Sequence, residues 1–432
     1  MDHDLSRRGF LGLSAGAAAL LAAGCGTGGG SSSGDVRYFF FSNNETKKAR
    51  DKAVAQFNAK HPDVHVTSQA TDGASYWDKL APMVSSGNAP DVLGMITPNL
   101  QEYASRGTLL DLGPLVSAGT IDVSTINKDL LVPARWDGRL LALPVAASTN
   151  LLTYDTELLK KAGAKLPGDD WTWDGYAEFA TELTKHLPKG VHGTEDMAGI
   201  TRAFEIYTLA RGEQVYRDKG LAVSKQTVGD WFSYWDRLRR SGAAVPADVS
   251  AAYTWGDWAN APLIRGKSAL QLINTNVYIG FQALTQHELG LHVTPRVSAN
   301  GPAGSYVFAS SYTSIFAHTR SRQNAATFLN WLINSPEANV ILKMASGPPA
   351  SGKAAAALKP ADLGAAAQRE LAFFKHASST HVGPPPTVWP VGASQIGTLL
   401  TRTYQDVSFG RKKISEAVDE FFSQGDSALR NG

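Results

Sequence analysis

From Val36 onward, short apolar runs alternate with segments whose apolar residues return every three or four positions, so strands and helices are expected in turn. Residues 36–41 read as a buried strand, and Ser42, Asn43 and Asn44 after it carry side chains that cap helices. Ala49, Ala53 and Phe57 then recur at four-residue spacing until His61-Pro62 stops the helix. Val64 and Val66 alternate with polar neighbours in a second strand. A second helix is expected over residues 75–86, ended by Gly87, and a third strand over 91–96. The order is βαβαβ, which signals an α/β fold. Farther along, Asp137-Gly138 between apolar runs predicts a hairpin turn. Gly163 ends one helix, and Thr172 caps the next, which carries Tyr176, Phe179 and Leu183 on one face.

The first residues break this pattern. Arg7-Arg8 precede an uncharged apolar run from Phe10 to Gly24, the layout of a signal peptide. A membrane-spanning helix needs roughly 20 apolar residues, so the run predicts export and not a span. The arginine pair before Phe10-Leu11 is similar to a twin-arginine export signal. Leu21-Ala22-Ala23-Gly24-Cys25 resembles a lipobox, with Ala22 where leucine is commonest; it makes Cys25 the lipid attachment point and the mature N-terminus. The reading is thus a signal peptide over 1–24 and a flexible Gly/Thr/Ser tether over 25–34. A plain secretory cleavage beside an incidental cysteine is the alternative.

Cys25 is the single cysteine, which removes disulfides, thiolate nucleophiles and Cys-ligated zinc from the body. Stability must come from apolar burial, and 432 residues at 43% hydrophobic composition suffice for two domains of ordinary size. The formal charge is +2, and the basic clusters at Lys47-Lys48, 237–240 and 411–413 lie in helical patterns, so no nucleic-acid partner is expected.

Enzyme signatures fail on position. G-x-S-x-G occurs at 12–16 and 30–34 and G-x-G-x-x-G at 24–29, all in the leader or tether. His287-Glu288-Leu289-Gly290-Leu291-His292 resembles H-E-x-x-H, but the second histidine is one residue too far for a shared helix face. No catalytic residue, cofactor or metal ligand is assigned. An exported hydrolase is the distant alternative, because paired glycosidase carboxylates come from separated segments.

A series of phrases then carries a family likeness: Phe57-Asn58-Ala59-Lys60-His61-Pro62-Asp63-Val64, Tyr76-Trp77-Asp78-Lys79-Leu80, and Ser86-Gly87-Asn88-Ala89-Pro90-Asp91-Val92. It continues through residues 136–144, 151–159, Trp171-Thr172-Trp173, 263–274 and 325–335. In that order the chain resembles the family 1 extracellular solute-binding proteins, the maltose-binding-like sugar receptors of ABC importers. The resemblance implies a two-lobed periplasmic-binding-protein fold with an interlobe ligand cleft and a hinge. It implies chain crossings near Ala146, Ala303 and Pro348, with lobe one over 35–146 and 304–347 and lobe two over 147–303 and 348–432. It also implies a carbohydrate ligand, permease subunits as partners and a monomer lipid-anchored outside the cytoplasmic membrane. A receptor of the same fold for a non-sugar solute is the alternative.

A sugar presents C–H faces and a rim of hydroxyls, so aromatic plates ringed by short polar side chains are the candidates. Asn43 and Asn44 follow the first strand, where the family's pocket begins, and either cap the helix or bind. Tyr76 and Trp77 stand where the family contacts ligand, with core packing as the other reading. Thr97 follows the third strand. Ser148 and Thr149 offer hydroxyls at the hinge or satisfy backbone there. Trp255 and Trp258 share a loop, and Asn276 and Tyr278 follow a strand over 268–273, where relatives place a stacking aromatic. Tyr306 lies near a crossing, and Trp389 lies in a proline-rich loop that is neither helix nor central strand. Trp231, Trp235 and Trp331 belong to helical stripes and are expected to pack.

Overall fold

The computed structural model describes residues 34–42, 44–217, 219–254 and 256–431. Two sheets organise them. In the first, the strand order is His65–Thr71, Asp35–Phe41, Val92–Met95, Phe308–Ile315, Leu143–Ser148. Asp35–Phe41 pairs in parallel with both neighbours, whereas Phe308–Ile315 runs antiparallel to the strands on either side. A central strand buried on both faces must be apolar nearly throughout, and Tyr38, Phe39 and Phe40 are all sealed. Helices Asn44–Lys60, Gly73–Ser85 and Arg322–Asn334 supply the layers around it, and Phe57, Tyr76 and Phe328 join its core.

The second sheet runs Leu289–His292, Asn150–Asp155, Ser268–Asn274, His192–Thr194. Its core is aromatic: Trp173, Tyr176, Phe204, Trp231 and Trp235 interlock, with Trp173 and Trp231 edge to face at 5.5 Å. Each such ring removes about 150–250 Å² from water, worth roughly 4–6 kcal/mol before entropy is subtracted. Thr172 caps Trp173–Lys185 as its sequence implies, its hydroxyl accepting from Gly175 N at 3.1 Å. At the expected hairpin, Asp137 and Gly138 have φ of 47° and 75°, the left-handed pair that a tight two-residue turn requires. Among the described residues no helix is long and apolar enough to cross a membrane.

The chain passes between sheets through Thr149, since Ser148 ends a strand of the first sheet and Asn150 begins one of the second. It returns between His292 and Phe308. The expected crossing near Pro348 differs. Helix Gly352–Ala357 still packs on Arg322–Asn334 and Pro336–Leu342, whereas Ala365–Thr380 packs on Tyr278–Gln282 and Leu289–His292. Residues 352–357 therefore stay with the first lobe, against the boundary expected at Gly347. The Gly347-Pro348-Pro349 turn is instead pinned to the first lobe, because Ala147 N donates to Pro348 O at 2.7 Å. Gly347 is required there: its φ is 102°, and a Cβ would lie 2.7 Å from Ala147 O.

Candidate functional site

Parallel strands in one sheet end on one side, so the two sheets each offer an edge of loops. In the first lobe this edge is formed by Ile96 and Thr97 after Val92–Met95, with Phe308, Ala309 and Ser310 on the antiparallel strand beside it. In the second it is Asn274 at the end of Ser268–Asn274 and residues 199–202 after His192–Thr194. Between these edges lies a cavity of about 550 Å³, within the ~300–1,000 Å³ common for small-ligand sites.

One wall is a helix face. Ser394, Gly397, Thr398, Thr401, Gln405 and Ser408 on Ala393–Ser408 recur every three or four residues and all line the cavity. The opposite face of that helix buries Ile396, Leu399, Leu400 and Val407 in the second lobe's core. Small hydroxyl and amide groups thus face the cavity in a row, with Tyr253, Phe308 and Trp389 as aromatic surfaces around them. Ser310 Oγ, also on the wall, has no hydrogen-bond partner among the described residues.

The charged groups at the wall are compensated. Arg202 donates to Glu205 Oε2 at 2.8 Å and lies 4.5 Å over the Phe308 ring, 5.2 Å from Tyr306 and 5.6 Å from Trp389. Glu205, 1% exposed, also accepts from Trp389 Nε1 at 2.8 Å and from the Tyr306 hydroxyl. Burial pushes the Glu205 carboxyl up, opposed by Arg202 and Trp389. Asp196, reached from the cavity, is pushed up to about 7 by burial, against hydrogen bonds from Ala198 N and the Tyr404 hydroxyl and the charge of Arg239. The cavity is polar but close to neutral.

Three of the residues singled out from sequence meet here. Thr97 and Trp389 line the cavity, and with Tyr306 they also border an adjoining cleft of about 40 Å³. Trp389 is not the freestanding plate its proline-rich loop suggests, because its ring packs on the second core 6.0 Å from Tyr216. Ser148, Thr149 and Asn276 lie instead at the chain crossing between the two sheets. Ser148 Oγ donates to Asn276 Oδ1 at 2.8 Å, Thr149 N donates to Thr275 Oγ1 at 3.1 Å, and Thr149 Oγ1 donates to Tyr306 O at 3.0 Å.

Tyr76, Trp77, Trp258 and Tyr278 pack in or against the lobe cores. Tyr76 is fully buried, stacked on Phe39 at 4.6 Å with its hydroxyl donating to Gly94 O at 2.8 Å. Trp77 is half-buried against Phe41 and Tyr103. Trp258 lies against Phe281, and Tyr278 is sealed, its hydroxyl donating to Leu289 O at 2.7 Å. Aromatic surface in these segments is consumed by the lobe cores, which is why spacing alone misplaced it. Asn44 opens the first helix, and Asn43, Trp255 and Cys25 lie outside the described residues. His287 and His292 lie in a bend and a strand with separate partners, the first 2.6 Å from Asp155 and the second 3.0 Å from Pro167 O. Glu205, Phe308 and the polar stripe of Ala393–Ser408 are not among the residues singled out from sequence; the stripe's helical spacing of Ser and Thr is the available signal.

The family model described as bacterial extracellular solute-binding protein matches residues 52–368. A lipoprotein in the oleD 5′ region of Streptomyces antibioticus is 29% identical over 138 residues, 32% of this chain and 30% of the relative. A probable sugar-binding periplasmic protein of Brucella suis is 27% identical over 199 residues, 44% of each. The chain thus spans less than half the length of these curated relatives. The structure of a periplasmic oligogalacturonide-binding protein from Yersinia enterocolitica, in complex with saturated digalacturonic acid, superposes with a TM-score of 0.81 at 19% identity, covering 92% of this chain and 99% of that one. At that identity the likeness shows the fold.

Proposed function

Because the chain belongs to the bacterial extracellular solute-binding protein family, whose members serve ABC transporters by binding solutes, we propose that its solute is an uncharged carbohydrate held in the interlobe cavity. The observation that carries this reading is the cavity wall itself: a row of Ser, Thr and Gln side chains opposite aromatic surfaces, with Arg202 already paired to Glu205. Hydroxyls of a sugar match that row, and its C–H faces match Trp389 and Phe308. The names of the Brucella and Yersinia relatives, a sugar-binding and an oligogalacturonide-binding protein, support the solute class. An acidic sugar is disfavoured here, since its carboxylate would have to draw Arg202 away from a buried partner.

The working cycle follows from the two-lobed layout. Sugar bridges the lobes, they close about the hinge through Thr149, and permease subunits recognise the closed form. The chain is exported through its twin-arginine leader and held outside the cytoplasmic membrane by lipid on Cys25, a reading supported by the name of the Streptomyces relative. Cys25→Ala should then move the protein from the membrane to the soluble fraction, and retention at the membrane would end the anchor reading. Small-angle scattering should show a smaller radius of gyration with saturating sugar.

A thermal-shift screen of mono- and oligosaccharides tests the function. A ligand of the native state at a hundredfold over its Kd adds about 2.7 kcal/mol of stability and raises the Tm. Neutral sugars are expected to shift it. A shift confined to amino acids, peptides or phosphate esters would replace carbohydrate by that solute.

A further inference from the structure

The second lobe carries a cluster of metal-ligating side chains that the cavity does not use. Asp169 lies in the loop before helix Trp173–Lys185, while His376 lies in the last turns of helix Ala365–Thr380 and His381 caps it. One ligand atom from each of the three lies within 4.8 Å of those of the other two. His376 Nε2 is 2.7 Å from Asp169 Oδ2, and His381 Nε2 is 3.0 Å from the Asp169 carbonyl oxygen. Asp169 and His376 side chains are 44% and 51% exposed, so an ion from solvent can reach them.

A single Asp–His ion pair would explain one imidazole. A second ring, that of His381, lies 5.6 Å away, with its Nδ1 2.7 Å from Thr380 Oγ1 and its Nε2 on the Asp169 carbonyl oxygen. Beneath the cluster, His292 Nε2 lies 3.0 Å from Pro167 O and 3.9 Å from Asp169 Oδ1, steadying the loop. Two imidazole nitrogens and a carboxylate oxygen are the donor set of zinc-class ions, with water left to complete the tetrahedron. Arg296, which donates to Thr380 O at 3.3 Å, is the positive charge that counts against an ion here.

We propose that Asp169, His376 and His381 bind a divalent transition-metal ion of the zinc class. The ion ties the loop holding Asp169 to the end of helix Ala365–Thr380, from which the chain runs on to Trp389.

Calorimetric titration of zinc chloride into the chelator-stripped mature chain, made without a polyhistidine tag, tests this. The wild type should take up one equivalent, and zinc should raise its Tm. Since loss of a supporting partner alone weakens sites by about 10–100-fold, His376→Ala and His381→Ala should each lose roughly tenfold or more in affinity and the Tm shift with it. His186→Ala, at an exposed histidine paired with Glu182, should bind zinc as the wild type does. The site does not exist if the wild type takes up no zinc, or if both cluster variants bind it as tightly as the wild type. Chelator-treated variants that melt with the wild type show that the substitutions leave the fold intact; an equal early melt in both, with zinc affinity retained, would make the cluster structural only.

Discussion

Trp389 donates its indole N–H to Glu205 Oε1 at 2.8 Å, fastening the cavity's indole to a buried carboxylate of the second lobe. The same carboxylate neutralises Arg202 and accepts the Tyr306 hydroxyl, and the Tyr306 carbonyl in turn accepts Thr149 Oγ1 at the crossing between the sheets. One acidic group thus holds together the aromatic wall, the cation beneath it and a strand entering the first lobe.

Glu205→Ala leaves the Arg202 guanidinium, 19% exposed, without its partner. Breaking a buried pair from one side costs about 3–5 kcal/mol, and urea melts should show a loss of that order. Glu205→Gln, which can still accept from Trp389, should lose less. A Glu205→Ala variant as stable as the wild type would mean that Arg202 is solvated and the wall is not held in this way.

Two tryptophans separate wall from packing. Trp331 is half-buried beside Phe57 at 5.4 Å in the first lobe, so Trp331→Ala should lower stability by about 2 kcal/mol, less than a fully buried Trp, and leave sugar affinity unchanged. Trp389→Ala should lose a similar stability, because its ring also packs on the core, and in addition about 1–3 kcal/mol of sugar binding. Denaturant melts and calorimetry on both variants read the difference. Equal affinity losses would remove Trp389 from the site.

Asp196 predicts a pH dependence. Its folded carboxyl is pushed up to about 7 by burial, against an ordinary value of 3.8, so between those values the native state keeps a proton that the unfolded chain has released. Its contribution is therefore fully present below about pH 4, falls as pH rises toward 7 by at most ~1.4 kcal/mol per unit, and is level above that. Asp196→Asn should remove this slope from the stability profile. Parallel wild-type and variant profiles from pH 4 to 7 would show that Asp196 is ionised throughout.

The fold was legible because its signals are local and repeated. The apolar run at 36–41, the cap at Thr172 and the turn at Asp137-Gly138 each fix backbone geometry from a few neighbouring residues. The site was less so, since an aromatic after a strand is read alike whether it faces a cavity or a core. Tyr76 and Tyr278 turned inward because carbonyls of Gly94 and Leu289 await their hydroxyls, partners distant in sequence. Arg202 and Glu205 likewise meet Tyr306 and Trp389 only through the tertiary fold. The stripe from Ser394 to Ser408 was legible in principle, for its spacing is that of a helix face.

The most direct test uses that stripe. Thr398 is exposed on the cavity side of its helix, so Thr398→Trp should fill the space without entering a core. Neutral mono- and oligosaccharides titrated calorimetrically into the wild type and the variant give the decision. The wild type should bind at least one of them, and Thr398→Trp should weaken that sugar by tenfold or more, about 1.4 kcal/mol, with an unchanged Tm. A wild type silent to every sugar, or a variant that binds as well as the wild type, would contradict a carbohydrate held in the interlobe cavity.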